Sequence, residues 1–286
     1  ITQIIHYFWK NLHMKINKTQ KKIALIDSGS FVLPYDYHLI NSLKNSGYEI
    51  DLYCSETIYN PQFLDALRLE EKVNVISLAI SKTSSNRIRG IINYFFLWAK
   101  IVYKRHQYEY IILQFPTIWI VDLICLLTIR KKSAFLVHNH KPHDRKSKSH
   151  IPYMLISKAV NLLIFISDYT QEKFIEAYGR KYLNKTQLIP HGLLSITPES
   201  STKPYSKPPN NNTLIYWGNI KPYKGIEFIR ELSIHKNKKQ IDINIEIFGK
   251  WSQELTSIKN ELVDLKIKIS DKFLTEQEVL SLLDKE

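Results

Sequence analysis

The sequence predicts an α/β protein made of two parallel-sheet units. Three observations predict it. Short apolar runs of strand length alternate with segments of helical period. A stretch rich in Pro, Ser and Asn interrupts that alternation once, and beyond it the alternation starts again. Parallel strands cannot be joined by tight hairpins, so helices cross between them and cover both faces. The strands then read as continuous apolar runs.

Taken in order, residues 22–27 (KIALID) read as a buried strand that ends in the turn Ser28-Gly29-Ser30. Residues 37–46 have helical spacing, and Asn45-Ser46-Gly47 stops that helix. Strands follow at 49–54 (EIDLYC) and 73–78 (VNVISL), then a helix at 89–106 and a strand at 110–114 (YIILQ). A helix at 119–129, a strand at 134–137, a helix at 150–160, a strand at 162–166 and a helix at 169–178 continue the series; a strand at 187–189 closes it.

Residues 197–212 (TPESSTKPYSKPPNNN) lack an apolar period and read as a linker. Strands are expected again at 213–217, 243–248 and 266–269, with helices at 225–233, 253–262 and 276–283. The expected organisation is an extension outside the fold at 1–13, a first domain at 14–196, the linker, and a partial second domain at 213–286. That last unit is short for an open α/β domain and stops inside a helical pattern.

A hydrophobic content of 44% supports real cores and argues against disorder. Forty Lys and Arg against 27 Asp and Glu leave a charge of +13, which suits nucleic acid, an anionic membrane or a phosphorylated substrate. Solvation of an ordinary surface uses such charge equally well. The lysines are scattered and no nucleic-acid motif accompanies them, so nucleic acid is not an expected partner. Cys54 and Cys125 each sit in an apolar run, which argues for a reducing compartment and against a disulfide or zinc framework. No segment reaches the roughly 18–20 apolar residues of a membrane span, and residues 1–13 lack the marks of a signal peptide. A cytoplasmic location is expected.

Ser28-Gly29-Ser30 is not a dinucleotide fingerprint, which needs three spaced glycines. It can still bring backbone N–H groups to a ligand at a strand's carboxyl end, or serve as an ordinary turn. Residues 137–145 (VHNHKPHDR) also emerge at that edge. His138, His140 and His143, spaced by two and three in an irregular loop without acidic or Cys partners, do not form a metal pattern. A histidine here suits a hydrogen bond to a sugar hydroxyl, or a polar loop in solvent. Residues 188–192 (LIPHG) place His191 and Gly192 after a strand, just before the linker. The strongest segment is 214–227 (LIYWGNIKPYKGIE): Gly218, Lys221, Lys224 and Gly225 lie between an apolar strand and an amphipathic helix. Lysines beside a helix N-terminus make a diphosphate site, since fixed charge joins the N–H groups and the dipole. A solvated basic loop is the plainer alternative.

The strand-VHNxxPH segment, IPHG and WGNIKPYKGIE, in this order, resemble GT-B glycosyltransferases of the glycosyltransferase-4 type, found in bacterial capsule, O-antigen and exopolysaccharide synthesis. The stretch FISDYT at 165–170 resembles the family's v-S-x-x-t element. The resemblance implies two Rossmann-like domains facing a cleft, the second incomplete, and a sugar-nucleotide donor bound as substrate, with no cofactor. It implies that Lys224 contacts the donor phosphates, and Lys221 stands where close relatives carry arginine. His138 corresponds to the histidine near the donor sugar, His143 to a second one on the acceptor side, and Gly249 to the glycine ending the next strand. Ser28–Ser30 corresponds to the first loop, without its usual double glycine. The family's E-x7-E element is expected beyond the last helix, where this chain stops; Glu246 with Glu254, and Glu278 with Glu286, share the spacing but not the place. The family precedent implies retention of configuration. No D-x-D is present, so a metal-independent reaction is expected, and the 286 residues alone are expected to be weak or inactive. The alternative is a non-catalytic GT-B-like binding or partner protein with an incomplete donor site.

Lys141, Arg145, Lys146 and Lys148 precede the apolar residues 151–156, and Arg87 and Arg89 precede the aromatic helix 94–103. Such segments suit an anionic bilayer, or are core helices with solvated flanks. A glycan or lipid-linked acceptor, and a peripheral position on the inner face of the cell membrane, are the expected partner and place.

Overall fold

The computed structural model describes residues 21–56, 60–79, 87–140, 150–190, 198, 212–272, 274 and 276–283. The chain divides into two units, Ile1–Glu199 and Ser200–Glu286.

The first unit carries β1 (Lys22–Asp27), β2 (Glu49–Cys54), β3 (Val73–Ser77), β4 (Tyr110–Leu113), β5 (Ser133–Val137), β6 (Leu162–Phe165) and β7 (Thr186–Leu188). They form one parallel sheet in the order β3-β2-β1-β4-β5-β6-β7. The order reverses between β1 and β4, which is the switch point where open parallel sheets bind ligands outside their carboxyl ends. The helices are α1 (Leu33–Asn45), α2 (Pro61–Leu69), α3 (Arg87–Lys104), α4 (Trp119–Thr128), α5 (His150–Ala159) and α6 (Asp168–Tyr178).

Strand side chains alternate between two cores. Ile23 and Leu25 of β1 pack with Leu39, Ile40 and Leu43 of α1 and with Phe63, Leu64 and Leu67 of α2. Their neighbours Ala24 and Ile26 pack on the other face with Tyr94, Leu97, Trp98 and Ile101 of α3, Ile156 of α5 and Phe174 of α6. Both faces are dry, so the runs KIALID and SAFLV are apolar throughout. Helix α2 lies where no element was expected. Its nine residues offer only three buried apolar side chains, after Asn60 and with Pro61 opening the helix, a pattern too short to register as a period.

One carboxylate ties two of these helices together. Asp122 of α4 is fully buried. Its Oδ1 accepts from the Tyr94 hydroxyl and, at 2.8 Å, from Trp98 Nε1, both on α3. Its Oδ2 accepts from the Thr117 N–H at 3.0 Å. Burial raises its pKa to about 6 against these hydrogen bonds, which act to lower it.

The second unit is smaller. Strands β8 (Thr213–Trp217), β9 (Asn244–Phe248) and β10 (Lys268–Ser270) form a parallel sheet in the order β10-β9-β8. Helices α7 (Ile226–Lys239), α8 (Thr256–Asp264) and α9 (Glu276–Leu283) connect and follow them. Its own core gathers Ile226, Ile229, Ile245, Ile247, Trp251 and Leu262. Helix α7 runs past residue 233, where the apolar spacing faded, because its last turns are lysine-rich and solvated.

The raised Asp122 pKa makes a prediction. The folded state holds that proton more tightly than the unfolded chain, so this contribution to stability is lost as pH rises from about 4 to about 6. Asp122→Asn is neutral throughout. In urea titrations its stability relative to wild type is expected to climb across that window, by at most about 1.4 kcal/mol per pH unit. Parallel curves for the two proteins would contradict the assignment.

Candidate functional site

In the first unit, three adjacent strands bring their carboxyl ends together at the switch point. Beyond β1 the turn at 28–30 closes with a hydrogen bond from Ser30 N to Asp27 O at 2.9 Å. Its hydroxyls are used inside the protein: Ser28 Oγ lies 2.6 Å from Thr117 Oγ1, and Ser30 Oγ donates to Ser55 O at 2.5 Å. Ser55 returns a bond from its own hydroxyl to Ser28 O at 2.6 Å. Ser30 is held at φ 52°, in the left-handed region, by this brace. A Cβ at Gly29 would fall 2.2 Å from the Phe31 ring, so the ring lies flush on the backbone there.

The backbone N–H groups of Gly29, Phe31 and Val32 are directed at the carboxyl of Asp27, and the Val32 bond to Oδ2 measures 3.1 Å. The anion that this turn serves is therefore the chain's own. Asp27 and Asp36, the latter in the first turn of α1, are both fully buried and close enough for the charge of one to act on the other, and Asp27 Oδ1 and Asp36 Oδ2 have no hydrogen-bond partner among the described residues. Burial, followed by the charge of Asp27, raises the Asp36 pKa well above the carboxylate range; burial raises that of Asp27 against the three N–H bonds. Burial of both carboxyls thus holds the pair's titration above the ordinary carboxylate range.

Gln114, just past β4, donates from Nε2 to Asp36 Oδ1. Its Oε1 lies 2.7 Å from Nε2 of His138, which follows β5 and is half-buried. The His138 ring stacks on Phe115 at 4.5 Å, with planes 8° apart, and meets the edge of Tyr35 at 5.5 Å. The imidazole is thus fixed in position and plane at the carboxyl edge of the sheet. Asp36, Gln114 and Phe115 were missed in the sequence; the signal available was a polar residue following the apolar run of β4.

In the second unit, Lys221 and Lys224 are exposed on the loop between β8 and α7. Neither has an ion-pair partner among the described residues. The short 3-10 turn Pro222–Lys224 is pinned by the Tyr216 hydroxyl, which donates to Lys224 O at 2.8 Å. Gly225, at φ 77°, caps α7 without a side chain, so no side-chain oxygen occupies the helix N-terminus. Gly218 N donates to Phe248 O at 3.0 Å, and Gly249 stands at φ 148° with its missing Cβ only 1.7 Å from Gly218 O. These two glycines let the loops after β8 and β9 close on one another. Glu246 pairs with Lys268 at 3.0 Å on the strands, and Glu254 lies in a separate 3-10 turn.

His143, His191, Gly192 and the basic residues Lys141, Arg145, Lys146 and Lys148 lie outside the described residues. Among the described residues no cluster of three His, Cys, Asp or Glu is placed to hold a metal ion, and no helix is long and apolar enough to cross a membrane.

No protein-family model and no curated sequence matches this chain. Solved structures do. HepE from Anabaena, in complex with UDP and glucose, matches 93% of this chain and 73% of its own length, with a TM-score of 0.60 and 16% identity. The fold is GT-B. A glycosyltransferase from Rickettsia africae matches with a TM-score of 0.56 at 14% identity, covering 91% of this chain and 70% of its own. A UDP-N-acetylglucosamine 2-epimerase also matches, at 0.55 and 9% identity, over 90% of this chain and 70% of its own. One fold thus carries transfer in one relative and epimerisation in another, so the activity of this chain has to be argued from its site.

The two glycines of the second unit behave differently on substitution. Gly249→Ala drives a methyl into the Gly218 backbone and is expected to cost more than about 3 kcal/mol. Gly218→Ala meets nothing within 4 Å and carries only the strain of φ 120°, about 1–3 kcal/mol. Denaturant unfolding of both variants checks the order; equal losses would contradict the close approach.

Proposed function

We propose that this chain is a glycosyltransferase of the glycosyltransferase-4 type. It moves a hexose from a UDP- or GDP-linked donor to a glycan or lipid-linked acceptor in capsule, O-antigen or exopolysaccharide synthesis. The observation that carries the reading is the loop at 218–225: two lysines without ion-pair partners lead into a 14-residue helix whose N-terminus has no side-chain cap. A departing nucleoside diphosphate gains charge in the transition state, and this arrangement offers it fixed cations, backbone N–H groups and the helix dipole. The fold shared with HepE, whose structure holds UDP and glucose, supports the same ligand class. Lys224 takes the phosphates and Lys221 assists, while His138 serves the reacting sugar. The lysines act as counter-charge in a metal-independent reaction with retention, as the family resemblance implies, and the donor is a substrate rather than a cofactor.

The membrane belongs to this reading. Helix α3 buries Tyr94, Leu97, Trp98 and Ile101 yet also exposes Ile88, Ile91, Ile92, Phe95 and Phe96, a second apolar stripe at helical spacing. Ile120, Ile124 and Leu127 of α4 are exposed as well. Helices α3, α4 and α5 contain a single acidic residue, the buried Asp122, so nothing on this surface repels an anionic leaflet. Docking there places a cytoplasmic enzyme beside a lipid-linked acceptor.

Calorimetric titration with UDP and GDP tests the donor site. Lys224→Ala is expected to weaken binding of the preferred nucleotide by about 10- to 100-fold, the worth of one charge-assisted bond; binding of neither nucleotide by wild type contradicts the proposal. Nucleotide binding with neither donor hydrolysis nor transfer by the full-length gene product would favour the non-catalytic reading. Flotation with vesicles tests the surface. Wild type is expected to rise with phosphatidylglycerol vesicles and the Phe95→Asp, Phe96→Asp double variant to stay behind; equal flotation of the two proteins sinks the membrane claim.

A further inference from the structure

The segments that follow β8, β9 and β10 in the second unit are stitched to one another beyond the ends of their strands. Gly218 N donates to Phe248 O at 3.0 Å and Gly249 N to Ser270 O at 2.9 Å. Ile220 and Trp251 then form a separate parallel bridge: Ile220 N donates to Lys250 O at 2.9 Å, and Ser252 N to Ile220 O at 3.0 Å. Along extended chain, successive residues turn their backbone groups to opposite neighbours. Residues 250 and 252 are engaged on the β8 side, so the Trp251 N–H points the other way, toward β10. Trp251 is buried, and its N–H needs an acceptor. Strand β10 ends at Ser270, and a side chain supplies that acceptor: Asp271 Oδ1 takes the Trp251 N–H at 3.2 Å.

The same carboxylate is held from two further directions. Its Oδ1 lies 3.3 Å from Lys250 Nζ, and its Oδ2 accepts from Lys259 Nζ of α8 at 2.6 Å. The Lys259 bond, and after it the Trp251 N–H, lower the Asp271 pKa to about 2, so the anchor is ionised at neutral pH. What it anchors bears on the lysine loop. Ile220 and Ile226 flank residues 221–225, are both fully buried, and share one core with Trp251, Ile247 and Leu262. Lys221 follows directly on the residue that the Trp251 bridge holds. A displacement of residues 249–252 reaches it through one backbone ladder.

We propose that Asp271 is a positioning residue for the lysine loop: by accepting the Trp251 N–H beyond the end of β10, it fixes the segment after β9 and, through the Ile220–Trp251 bridge, the place of Lys221 and Lys224. Its charge does not work against an anionic ligand, because Lys250 and Lys259 cover it. The consequence for nucleotide affinity rests on the proposed function. The positioning of the loop does not.

The experiment compares wild type, Asp271→Ala and Asp271→Asn by amide exchange and by calorimetric titration with UDP and GDP. Asparagine keeps a carbonyl oxygen for the Trp251 N–H and gives up the ion pairs; alanine gives up both. In Asp271→Ala the Ile220, Trp251 and Ser252 amides are expected to exchange at least about tenfold faster, while Ile247 in the middle of β9 keeps its protection. The preferred nucleotide is expected to bind Asp271→Ala at least about tenfold more weakly and Asp271→Asn within about threefold of wild type. Unchanged exchange at Ile220 and Ser252 in Asp271→Ala overturns the proposal, and so does undiminished nucleotide affinity in that variant. An asparagine variant that behaves like alanine overturns it too. Faster exchange at Ile247 as well would make the role one of general stability and sink the idea. Should Asp271→Ala not fold, wild type decides: Ile220, Trp251 and Ser252 are expected to share one urea dependence of exchange, and independent opening overturns the proposal. The expected loosening in a chain whose wild type binds neither nucleotide upholds this inference and removes the functional reading alone.

Discussion

The parallel sheet of the first unit is the constraint from which its site follows. Parallel neighbours need a crossover helix each time, so every strand-to-helix turn leaves the sheet at the same edge. Residues after β1, β4 and β5 meet there although tens of positions separate them in the chain, because those strands are adjacent in the order β1-β4-β5. The order reverses at β1 and β4, and the crossover helices diverge to opposite faces, leaving room at that edge. The dry cores on both faces hold the strands in register, and the edge inherits their rigidity.

Burial then governs the chemistry at the edge. Asp27, Asp36 and Gln114 lie at 0% exposure, where an unsatisfied polar group is costly. Gln114 meets that demand on both sides, toward Asp36 and toward His138, while Asp27 Oδ1 and Asp36 Oδ2 have no hydrogen-bond partner among the described residues, which is why burial raises both carboxyls. Asp122 follows the same logic on the opposite face, where it anchors the turn before α4 and two aromatic side chains of α3. The second unit works differently. Its loop at 218–225 is largely exposed, with Ile220 buried; the N–H groups of Gly218, Ile220, Lys224 and Phe228 are bonded to backbone carbonyls, and what the loop offers is lysine charge beside a helix N-terminus that no side chain caps. The first turn's N–H groups face a carboxyl of the chain itself, whereas no side chain caps the helix that follows the second loop.

Much of this was legible in the sequence, for physical reasons. Strands β1, β4 and β5 are buried on both faces, so they read as unbroken apolar runs and their carboxyl ends located His138 and Ser28–Ser30. The lysine loop was legible because glycine, lysine and an amphipathic helix are adjacent in the chain. What joins distant segments was not. Nothing local in residues 33–39 (LPYDYHL) marks Asp36 as the partner of Gln114, some eighty positions on, and nothing marks Gly249 as the residue that must lack a Cβ to clear Gly218. Helix α2 was invisible because its apolar face spans barely two turns. The hydroxyls of Ser28 and Ser30 were open to either use in the sequence, and the brace to Ser55 and Thr117 shows that both are spent on the fold.

Amide hydrogen exchange of the full chain with and without saturating UDP tests the central claim most directly. The account predicts slowed exchange in the loop at 218–225 and at the first-turn N–H groups of α7, Ile226 to Ile229, where the diphosphate is held. Unchanged exchange at those amides, with UDP bound and protecting some other segment, would contradict it.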